Sequence, residues 1–421
     1  MGSPKKQKAH SLTGRITKDF MLKAWKSVKK NRGTAGIDKV SIEMFESNLE
    51  QNLDCLMREL KNGSYKPIPL KRKWIPKGPG KNAKLRPLGI PTVRCRVAQE
   101  VARRLIDPYF EKIFHDNSYG FRYRRNCHQA VHAVLQERSE GSRHIVDADI
   151  KGFFDDIPHS IIMKAISSEI ADGNILRLIE KFLKAGVMEE GKLYPTTRGT
   201  PQGGVISPLL ANAVLNHLDH KLSEQGYCFV RYADDFVILC KTRRQAESAL
   251  SFATSVIEKD LGLELSKEKT TIIGPNESFD FLGFKIKPKG ITMRKKSMEK
   301  FKIKIRMLTK RSHNLDKKAV EKINQVIRGT MNYFVIPWTH ARPFIKFDQW
   351  IRKRLRCMKL KRISRRDNLK LKNKVFKRLG VQMCMDFYHK VKAKRQCSHP
   401  WATSFGSRPV RERCTPVNMG N

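Results

Sequence analysis

Two short segments of this sequence place carboxylate side chains beside residues typical of buried strands. In Val146-Asp147-Ala148-Asp149-Ile150, the alternation of a strand puts Asp147 and Asp149 on one face and the apolar residues on the other. In Tyr232-Ala233-Asp234-Asp235, the two acids lie at the tip of a predicted hairpin. Carboxylates held together repel each other, and a divalent cation keeps them ionised. Two such ions about 4 Å apart suit an in-line displacement at phosphorus.

The residues alone leave alternatives open at these acids. One is an exposed Asp-Asp turn, since a Tyr-x-Asp-Asp string occurs by chance in roughly a few per cent of chains of this length. Another concerns the strand, because alternation does not decide whether Asp147 or Asp149 belongs with the hairpin acids. The metal-site hypothesis therefore depends on whether the rest of the chain also indicates phosphate chemistry.

A third segment, residues 199–210, is rich in glycine and precedes an apolar helical pattern. Its glycines permit close approach of the backbone to a ligand, and Gln202 offers an amide edge. The pattern is typical of a strand-to-helix corner that touches a phosphate or nucleotide, although it lacks the ending of a Walker loop. Spacing alone favours a ligand loop only slightly over a purely structural corner.

The elements that must position these segments lie in residues 131–290, where short strand patterns alternate with helices. Before this region, frequent Gly and Pro predict a small basic β-rich unit. The predicted strands are His144–Ile150, Cys228–Arg231 and Phe236–Cys240.

The region that follows is basic and reads as helical. Residues 285–374 contain 30 Lys and Arg but only 5 Asp and Glu. Such an excess of one sign needs an anionic partner to offset self-repulsion. Apolar residues recur there at intervals of three to five positions, as in amphipathic helices. These residues are Ile303, Met307, Ile323, Ile327, Ile345, Trp350, Ile351 and Leu355.

Composition narrows the class of partner. The 421 residues include 85 Lys and Arg against 40 Asp and Glu, a net charge of +45, and 40% are hydrophobic, enough for a core. Nucleic acid is therefore favoured over an acidic membrane surface. No apolar run approaches the roughly 20 residues that span a bilayer, and no signal sequence is evident. Nine cysteines without a C-x-x-C pair indicate reduced thiols in an intracellular compartment. Because no long presequence is evident, we expect bacterial cytoplasm and nucleoid rather than an organelle.

In this order, the three segments resemble the palm motifs of a reverse transcriptase. The wider sequence resembles the group II intron-encoded reverse transcriptase/maturase family, from about Ala24 to Val381. The matching segments are Asn31–Asp38, Tyr65–Pro67, Ile75–Lys77, Arg86–Thr92, Ser118–Arg122, Asp149–Asp155, Thr200–Gly204, Arg231–Asp235, Leu263–Thr270, Phe281–Phe284 and Ile327–Phe334.

The resemblance implies an α+β, right-hand polymerase fold with an antiparallel palm sheet that carries the acids. An N-terminal extension and fingers would occupy residues 1–130 and the palm residues 131–290. A helical basic thumb, or maturase domain, would follow at 291–400, and residues 401–421 are expected to form a loose tail.

Carried over position by position, the resemblance implies that Asp149, Asp234 and Asp235 are catalytic. These acids and the backbone carbonyl of Ile150 would bind two Mg²⁺ ions, for which Mn²⁺ can substitute. Lys269 would donate a proton to the leaving pyrophosphate, with plain surface charge as the alternative.

The family's nucleotide contacts fall on five positions. Gln202 and Arg86 would hold the incoming nucleotide, with Lys77 or Lys84 near its phosphates. Phe154 would lie under the sugar and exclude a 2′-hydroxyl, although core packing would also account for it.

The remaining implied contacts involve the primer and the RNA. Residues 281–284 (Phe281, Leu282, Gly283 and Phe284) would grip the primer end. The basic residues expected to bind RNA are Arg32, Lys295, Lys296, Arg328, Arg352, Arg354 and Arg356.

The resemblance implies an RNA-directed DNA polymerase that copies a group II intron into cDNA and assists its splicing. Its partners would be intron RNA, an RNA template with a DNA or RNA primer, dNTPs and target DNA. The alternatives are an RNA-binding splicing cofactor without polymerase activity, and a domesticated enzyme serving defence or repair. Some family members have an endonuclease region with paired cysteines. This sequence has no such pairs, so we expect no cleavage of the target strand.

Three positions depart from the family pattern. Cys95 replaces a common acid, Tyr123 a usual proline and Thr330 a usual tryptophan. None of these positions is a predicted metal ligand, so the resemblance still implies an active polymerase.

Overall fold

A computed structural model describes residues 8–76, 85–200, 203–362, 364 and 366–397. The predictions for Lys77, Lys84, Gln202 and the tail at 401–421 lie outside the described residues. The described chain divides after Ile272 into two compact units. Within the described ranges, no helix is both long and apolar enough to cross a membrane.

Amphipathic helices form most of the first unit. In its first helix Met21, Ala24, Trp25 and Val28 recur at helical spacing and are all buried, and Thr17 caps the start by accepting from the Phe20 N–H. The helices are α1 (Lys18–Lys30), α2 (Ile42–Glu46), α3 (Leu49–Asn62), α4 (Val93–Phe110), α5 (Cys127–Ser139), α6 (Phe153–Asp156), α7 (His159–Ser167), α8 (Gly173–Leu183), α9 (Ser207–Glu224) and α10 (Arg243–Ser255).

The strands of this unit are β1 (Leu70–Pro76), β2 (Leu85–Ile90), β3 (His144–Asp149), β4 (Val187–Glu189), β5 (Lys192–Tyr194), β6 (Cys228–Tyr232), β7 (Asp235–Cys240) and β8 (Thr271–Ile273). One sheet has the order β6-β7-β3-β8, in which β7 is antiparallel to both β6 and β3. Helix α10 contacts β3 and β7, while α5 and α9 contact β6. The strands predicted around the acids are all present, which confirms that part of the interpretation.

A second sheet has the order β2-β1-β4-β5, with β1 antiparallel to β2 and parallel to β4. Residues before 131 otherwise form helices, so the prediction of a β-rich unit there is wrong. The core of this part comes instead from apolar faces of helices such as α1, α3 and α4.

The second unit begins with β9 (Phe279–Phe281), β10 (Phe284–Lys287) and β11 (Gly290–Met293), an antiparallel sheet with β10 central. Its helices are α11 (Lys295–Leu308), α12 (Lys317–Phe334), α13 (Arg342–Leu360), α14 (Asp367–Lys370), α15 (Asn373–Arg378) and α16 (Cys384–Cys397). The helical prediction is confirmed, but Met307 and Ile345 are exposed, because α11 buries Phe301 and Ile305 instead and α13 buries Phe344 and Phe347. Together, antiparallel sheets and a helical C-terminal region confirm the α+β class.

Candidate active site

The hairpin between β6 and β7 carries two of the predicted acids. Tyr232 pairs with Asp235, so Ala233 and Asp234 alone form the turn. Ala233 has a φ of 58°, a conformation that costs free energy for residues other than glycine. A turn of this length fixes the register of both strands and therefore the face on which Asp235 lies.

Strand β3 ends beside this turn. Asp149 and Asp235 are cross-strand partners, so their side chains share one face of the sheet. On the other edge of β3, the Ser266 N–H donates to the Asp149 carbonyl and the Lys151 N–H donates to the Glu264 carbonyl, both at 2.8 Å. Asp149 and Asp235 consequently form a non-hydrogen-bonded pair, the closer kind, with Cα atoms about 4.5 Å apart.

The backbone of Ile150 faces the hairpin. Ile150 bridges to Leu265, but the hydrogen bonds of that bridge come from the residues on either side of Ile150. Its own N–H and carbonyl therefore point to the opposite edge. Ile150 and Asp234 each lie one residue beyond the last pair of that register, Asp149 and Asp235.

The choice between Asp147 and Asp149 follows from the same register. Asp147 pairs with Val237, inside the sheet, whereas Asp149 is the last residue of β3 and pairs with Asp235. Only Asp149 is therefore adjacent to the turn. Position along the strand therefore favours Asp149 over Asp147 as the neighbour of the hairpin acids.

Burial and charge act on Asp234. Desolvation raises the pKa of Asp234 above its ordinary value, and the negative charge of Asp149 raises it further. The positive charges of Arg86 and Lys269 oppose this rise. The carboxylates are thus close enough to repel each other, and Arg86 of β2 is close enough to be felt at the hairpin.

Lys269 pairs with one of the acids. Its Nζ lies 2.6 Å from Oδ2 of Asp149, and the two side chains are 65% and 29% exposed. A pair this open to solvent contributes little to stability. Lys269 therefore lies within the predicted site, where its ammonium group contacts the carboxylate of Asp149.

The donor set suits a hard divalent cation. Magnesium prefers oxygen ligands and is usually held by one or two carboxylates together with substrate phosphates and water. Asp149, Asp234, Asp235 and the Ile150 carbonyl supply oxygens of these kinds. Within the described ranges, no group of three His, Cys, Asp or Glu side chains could hold a metal by itself.

The described part of the glycine-rich segment packs between two elements of the site. Gly199 has a φ of 80°, and a Cβ there would lie 2.7 Å from the Phe154 carbonyl. Gly203 has a φ of 115°, and a Cβ there would clash with the carbonyl of Gly89 in β2. These glycines are required by close backbone contacts, so they do not by themselves indicate a phosphate.

Phe154 lies in the short helix α6 that follows β3. It is half-buried against the core, and its ring meets Phe153 edge-on at 5.3 Å between centroids. The Thr200 N–H donates to the Phe154 carbonyl at 2.7 Å. The residue is therefore held in place from both sides, and its sugar-sensing role stays a prediction.

A buried polar network supports the β6–β7 hairpin. The sequence did not predict this network. Arg231 and Asp219 are fully buried and form an ion pair, with Nε of Arg231 donating to Oδ1 at 2.7 Å. Nη1 of Arg231 also donates to the Ala233 carbonyl and to Oδ1 of Asn212, both at 2.9 Å. Asn212 in turn donates to the Gly120 carbonyl at 2.8 Å.

Gly120 closes this network against the turn. A Cβ at Gly120 would clash with the backbone N of Ala233, so glycine is needed for the approach. The Tyr119 N–H donates to the Arg231 carbonyl at 2.9 Å, which adds a short parallel contact beside β6. The only sequence signal was a charged residue inside an otherwise apolar strand and another inside an apolar helix.

Comparison with known families decides the class of this site. Residues 75–286 match the family described as reverse transcriptase (RNA-dependent DNA polymerase), and residues 298–380 match the group II intron maturase-specific domain. The chain belongs to the reverse transcriptase family. The family, the fold class and the RNA-directed DNA polymerase class predicted from the motifs are confirmed.

Individual relatives of this reverse transcriptase agree. Protein YkfC of Escherichia coli K12 is 35% identical over 297 residues, which cover 61% of this chain and 77% of YkfC. The group II intron-encoded protein LtrA of Lactococcus lactis is 31% identical over 335 residues, 64% of this chain and 55% of LtrA. The chain thus spans about half of LtrA. A Candida albicans telomerase structure matches 86% of this chain and 67% of its own, at 13% identity, with a TM-score of 0.43, too low to support any conclusion about the site.

In the second unit of this reverse transcriptase, residues 281–284 form the turn between β9 and β10. Phe281 and Phe284 are buried, while Leu282 and Gly283 have positive φ values of 47° and 82°. Tyr333 of α12 donates through its hydroxyl to the Leu282 carbonyl at 2.9 Å, and its ring stacks on Phe284. The predicted primer grip is therefore a turn fixed by the maturase helix α12.

The predicted RNA-binding residues differ in their surroundings. Four of them are exposed and Arg352 is half-buried. Arg354 donates to the carbonyl and hydroxyl of Thr309, and buried Arg356 donates to the Leu371 carbonyl and to Asn373. These two arginines already serve to join helices. The exposed four are Arg32, Lys295, Lys296 and Arg328.

Proposed function

We propose that this reverse transcriptase copies intron RNA into cDNA for retromobility and binds the same RNA to assist its splicing. The observation that carries the first role is the cross-strand pair of Asp149 and Asp235 beside Asp234, inside the matched polymerase region. The second role is supported by the maturase-specific match at residues 298–380. LtrA, a relative, is itself an intron-encoded protein.

The parts of the polymerase are assigned as the motifs imply. Fingers with an N-terminal extension occupy residues 1–130, the palm 131–290 and the thumb or maturase domain 291–400. Residues 281–284 act as the primer grip. The proposed RNA-binding set is Arg32, Lys295, Lys296, Arg328 and Arg352. Arg354 and Arg356, predicted with them from the sequence, join helices instead.

Two Mg²⁺ ions, replaceable by Mn²⁺, are assigned to Asp149, Asp234, Asp235 and the Ile150 carbonyl. When bound, such ions activate a primer 3′-hydroxyl and neutralise charge on the departing pyrophosphate. The chain contributes placement, because the β3–β7 register and the short turn hold these oxygens together before substrate arrives. Preorganisation of this kind spares reorganisation during the reaction.

The remaining roles belong to groups around the acids. Lys269 is proposed to donate a proton to pyrophosphate, and its position on Asp149 places an ammonium at the site. Arg86 is proposed to bind the nucleotide, in keeping with the effect of its charge on Asp234. The full set of proposed nucleotide contacts is Lys77, Lys84, Arg86, Phe154 and Gln202.

The proposed partners are an RNA template with a DNA or RNA primer, dNTPs, intron RNA and target DNA. A net charge of +45 supports binding to such polyanions, with affinity that falls steeply as salt rises. Given bacterial relatives such as YkfC and LtrA, we propose that the enzyme works in bacterial cytoplasm and nucleoid.

Primer extension on an RNA template, with dNTPs and Mg²⁺, tests the polymerase role. We expect full-length cDNA from the wild type and none from Asp234→Ala, with RNA binding retained in a filter assay. Asp147→Ala is the matched control, because it removes an acid of β3 that shares a face with Asp149 but lies away from the turn. Extension by Asp234→Ala at the wild-type rate would refute the assignment.

A splicing role without polymerization is the second candidate, favoured by the maturase match. Added protein should lower the Mg²⁺ concentration at which the intron self-splices, and the Asp234→Ala variant should do so equally well. An RNA that gains nothing from the protein would remove this half of the proposal and leave the polymerase half intact.

A further inference from the structure

The loop that follows Gly120 displays two aromatic rings to solvent. Tyr123 is 72% exposed and Phe121 is 62% exposed, the highest values among the large apolar and aromatic side chains of the described ranges. Single exposed apolar residues are ordinary on protein surfaces, but two such rings two positions apart form a patch. The roles assigned above use neither residue.

Two arginines of this loop, Arg122 and Arg125, hold it in place. The Arg122 side chain is only 3% exposed, pairs with Glu111 at 2.8 Å and donates to the carbonyls of His115 and Ser118 at 2.6 and 2.9 Å. Arg125 pairs with Asp116 at 2.6 Å. The charge-assisted bonds of the buried Arg122 side chain fix the backbone, so the aromatic rings are presented from a stable base.

The backbone itself is strained where the rings project. Phe121 and Arg124 have φ values of 56° and 57°, a region that side chains other than glycine and asparagine rarely adopt. Relaxing either residue would turn its side chain elsewhere. The inward hydrogen bonds of Arg122 offset the free energy cost of this backbone conformation. In that conformation the rings of Phe121 and Tyr123 are exposed to solvent.

The loop is anchored next to the catalytic hairpin and carries positive charge. Gly120, the residue before Phe121, packs directly on the backbone of Ala233. The guanidinium of Arg124 lies 5.1 Å from the centre of the Tyr123 ring. Aromatic rings with an arginine at hand are the elements on which unpaired bases stack in proteins that bind single strands.

We propose that Phe121 and Tyr123 form a stacking platform for unpaired bases of a nucleic-acid strand beside the active site, with Arg124 contacting the strand's phosphates. The inference rests on the proposed function, since it takes the same nucleic acid as ligand. Bases in a duplex are already stacked on each other, so the platform selects single-stranded segments. An acidic protein would satisfy Arg124 but would leave both rings without planar partners.

Binding of a short fluorescein-labelled single-stranded RNA, measured by anisotropy, tests the platform. Tyr123→Leu keeps an apolar side chain but removes the π face, and should weaken binding about tenfold. Tyr123→Trp should bind at least as well as wild type. Met44→Ala, at a residue 60% exposed in the same unit, is the matched control and should change nothing.

Salt dependence separates stacking from charge. Tyr123→Leu should leave the slope of log affinity against log salt unchanged, whereas Arg124→Ala should reduce it by about one. A blunt duplex of the same sequence should not distinguish Tyr123→Leu from wild type. Equal single-strand affinity of wild type, Tyr123→Leu and the Phe121→Leu/Tyr123→Leu double variant would overturn the proposal.

These measurements are independent of polymerization, so the two proposals fail separately. Primer extension by the wild type together with unchanged binding by the double variant would refute only the platform. If Tyr123→Leu binds RNA more weakly than the wild type, but the wild type extends no primer, the platform is supported and the polymerase role is refuted.

Discussion

At the scale of single residues, Asp234 is held where its own surroundings oppose its charge. Burial and the neighbouring charge of Asp149 both raise the pKa of Asp234. An ionised acid with a raised pKa destabilises the folded state at neutral pH. That penalty fades as the pH falls from the raised pKa toward the ordinary value of 3.8. The folded state is thus destabilised at Asp234, the residue whose carboxylate the proposed chemistry needs.

Replacement of Asp234 by Asn should therefore stabilise the protein at neutral pH while extension is lost. The gain should shrink as the pH is lowered, because protonated Asp234 carries no charge either. Calorimetric melting of both proteins in EDTA across a pH series measures the difference. Asp147→Asn serves as control, and a neutral-pH melting temperature of Asp234→Asn below that of wild type would contradict the explanation.

Residue types around the acids were only partly informative in the sequence. Alternation in β3 identified the correct face, since residues two apart share a face whatever the fold. It could not separate Asp147 from Asp149, because they differ only in which of them lies opposite the first residue of β7. The acids were predictable from local pattern, whereas their mutual distance depended on the pairing of distant strands.

At the scale of elements, helix α9 supports the catalytic hairpin through the buried pair of Asp219 and Arg231. Residue spacing could not reveal this link, because Arg231 looked like one more basic residue and Asp219 like a polar interruption of an apolar helix. The same limit applied to Gly120, whose contact with Ala233 joins segments more than a hundred residues apart. Strands and helices followed from local periodicity, while their contacts did not.

Truncation of Asp219 should be costly, because it leaves the Arg231 guanidinium buried without a counter-charge. Asp219→Ala should lower the free energy of unfolding by about 3–5 kcal/mol, and urea unfolding measures the change. Glu224→Ala on the same helix is the matched control, since its pair with Lys221 is exposed and contributes at most about 1 kcal/mol.

The double variant Asp219→Leu/Arg231→Met separates charge from shape. Removing both charges should recover much of the lost stability but not extension, because the bond from Arg231 to the Ala233 carbonyl is gone. A double variant that extends primers at the wild-type rate would show that the network does not position the hairpin.

At the scale of the whole molecule, the excess of 45 positive charges is divided between two tasks. Some basic side chains are exposed to solvent, as Arg328 is, while others join helices, as Arg356 does. Sequence could not divide them, because a run of basic residues on a helix looks uniform until one face packs. The total charge therefore predicts the type of partner better than it predicts which residues touch it.

Arg328→Ala and Arg356→Ala should accordingly impair different properties, RNA binding for the first and stability for the second. The first should reduce the salt slope of RNA binding by about one and leave stability unchanged. The second should lower the free energy of unfolding by about 1–3 kcal/mol, because the Leu371 carbonyl and Asn373 lose their donor. Anisotropy against salt and urea unfolding distinguish these outcomes, and an interchange of the two phenotypes would contradict the division.

Because the turn at Ala233 and Asp234 is so short, the number of residues in it matters for function. Hairpin tips usually accept insertions, but Gly120 leaves no room here for a bulge, and a slip by one position would turn Asp235 toward the core. The β4–β5 hairpin has a turn of the same length, between Glu189 and Lys192, and nothing lies close to its Gly191. Among single-residue insertions that preserve polymerization, many should map to that turn and none to the other.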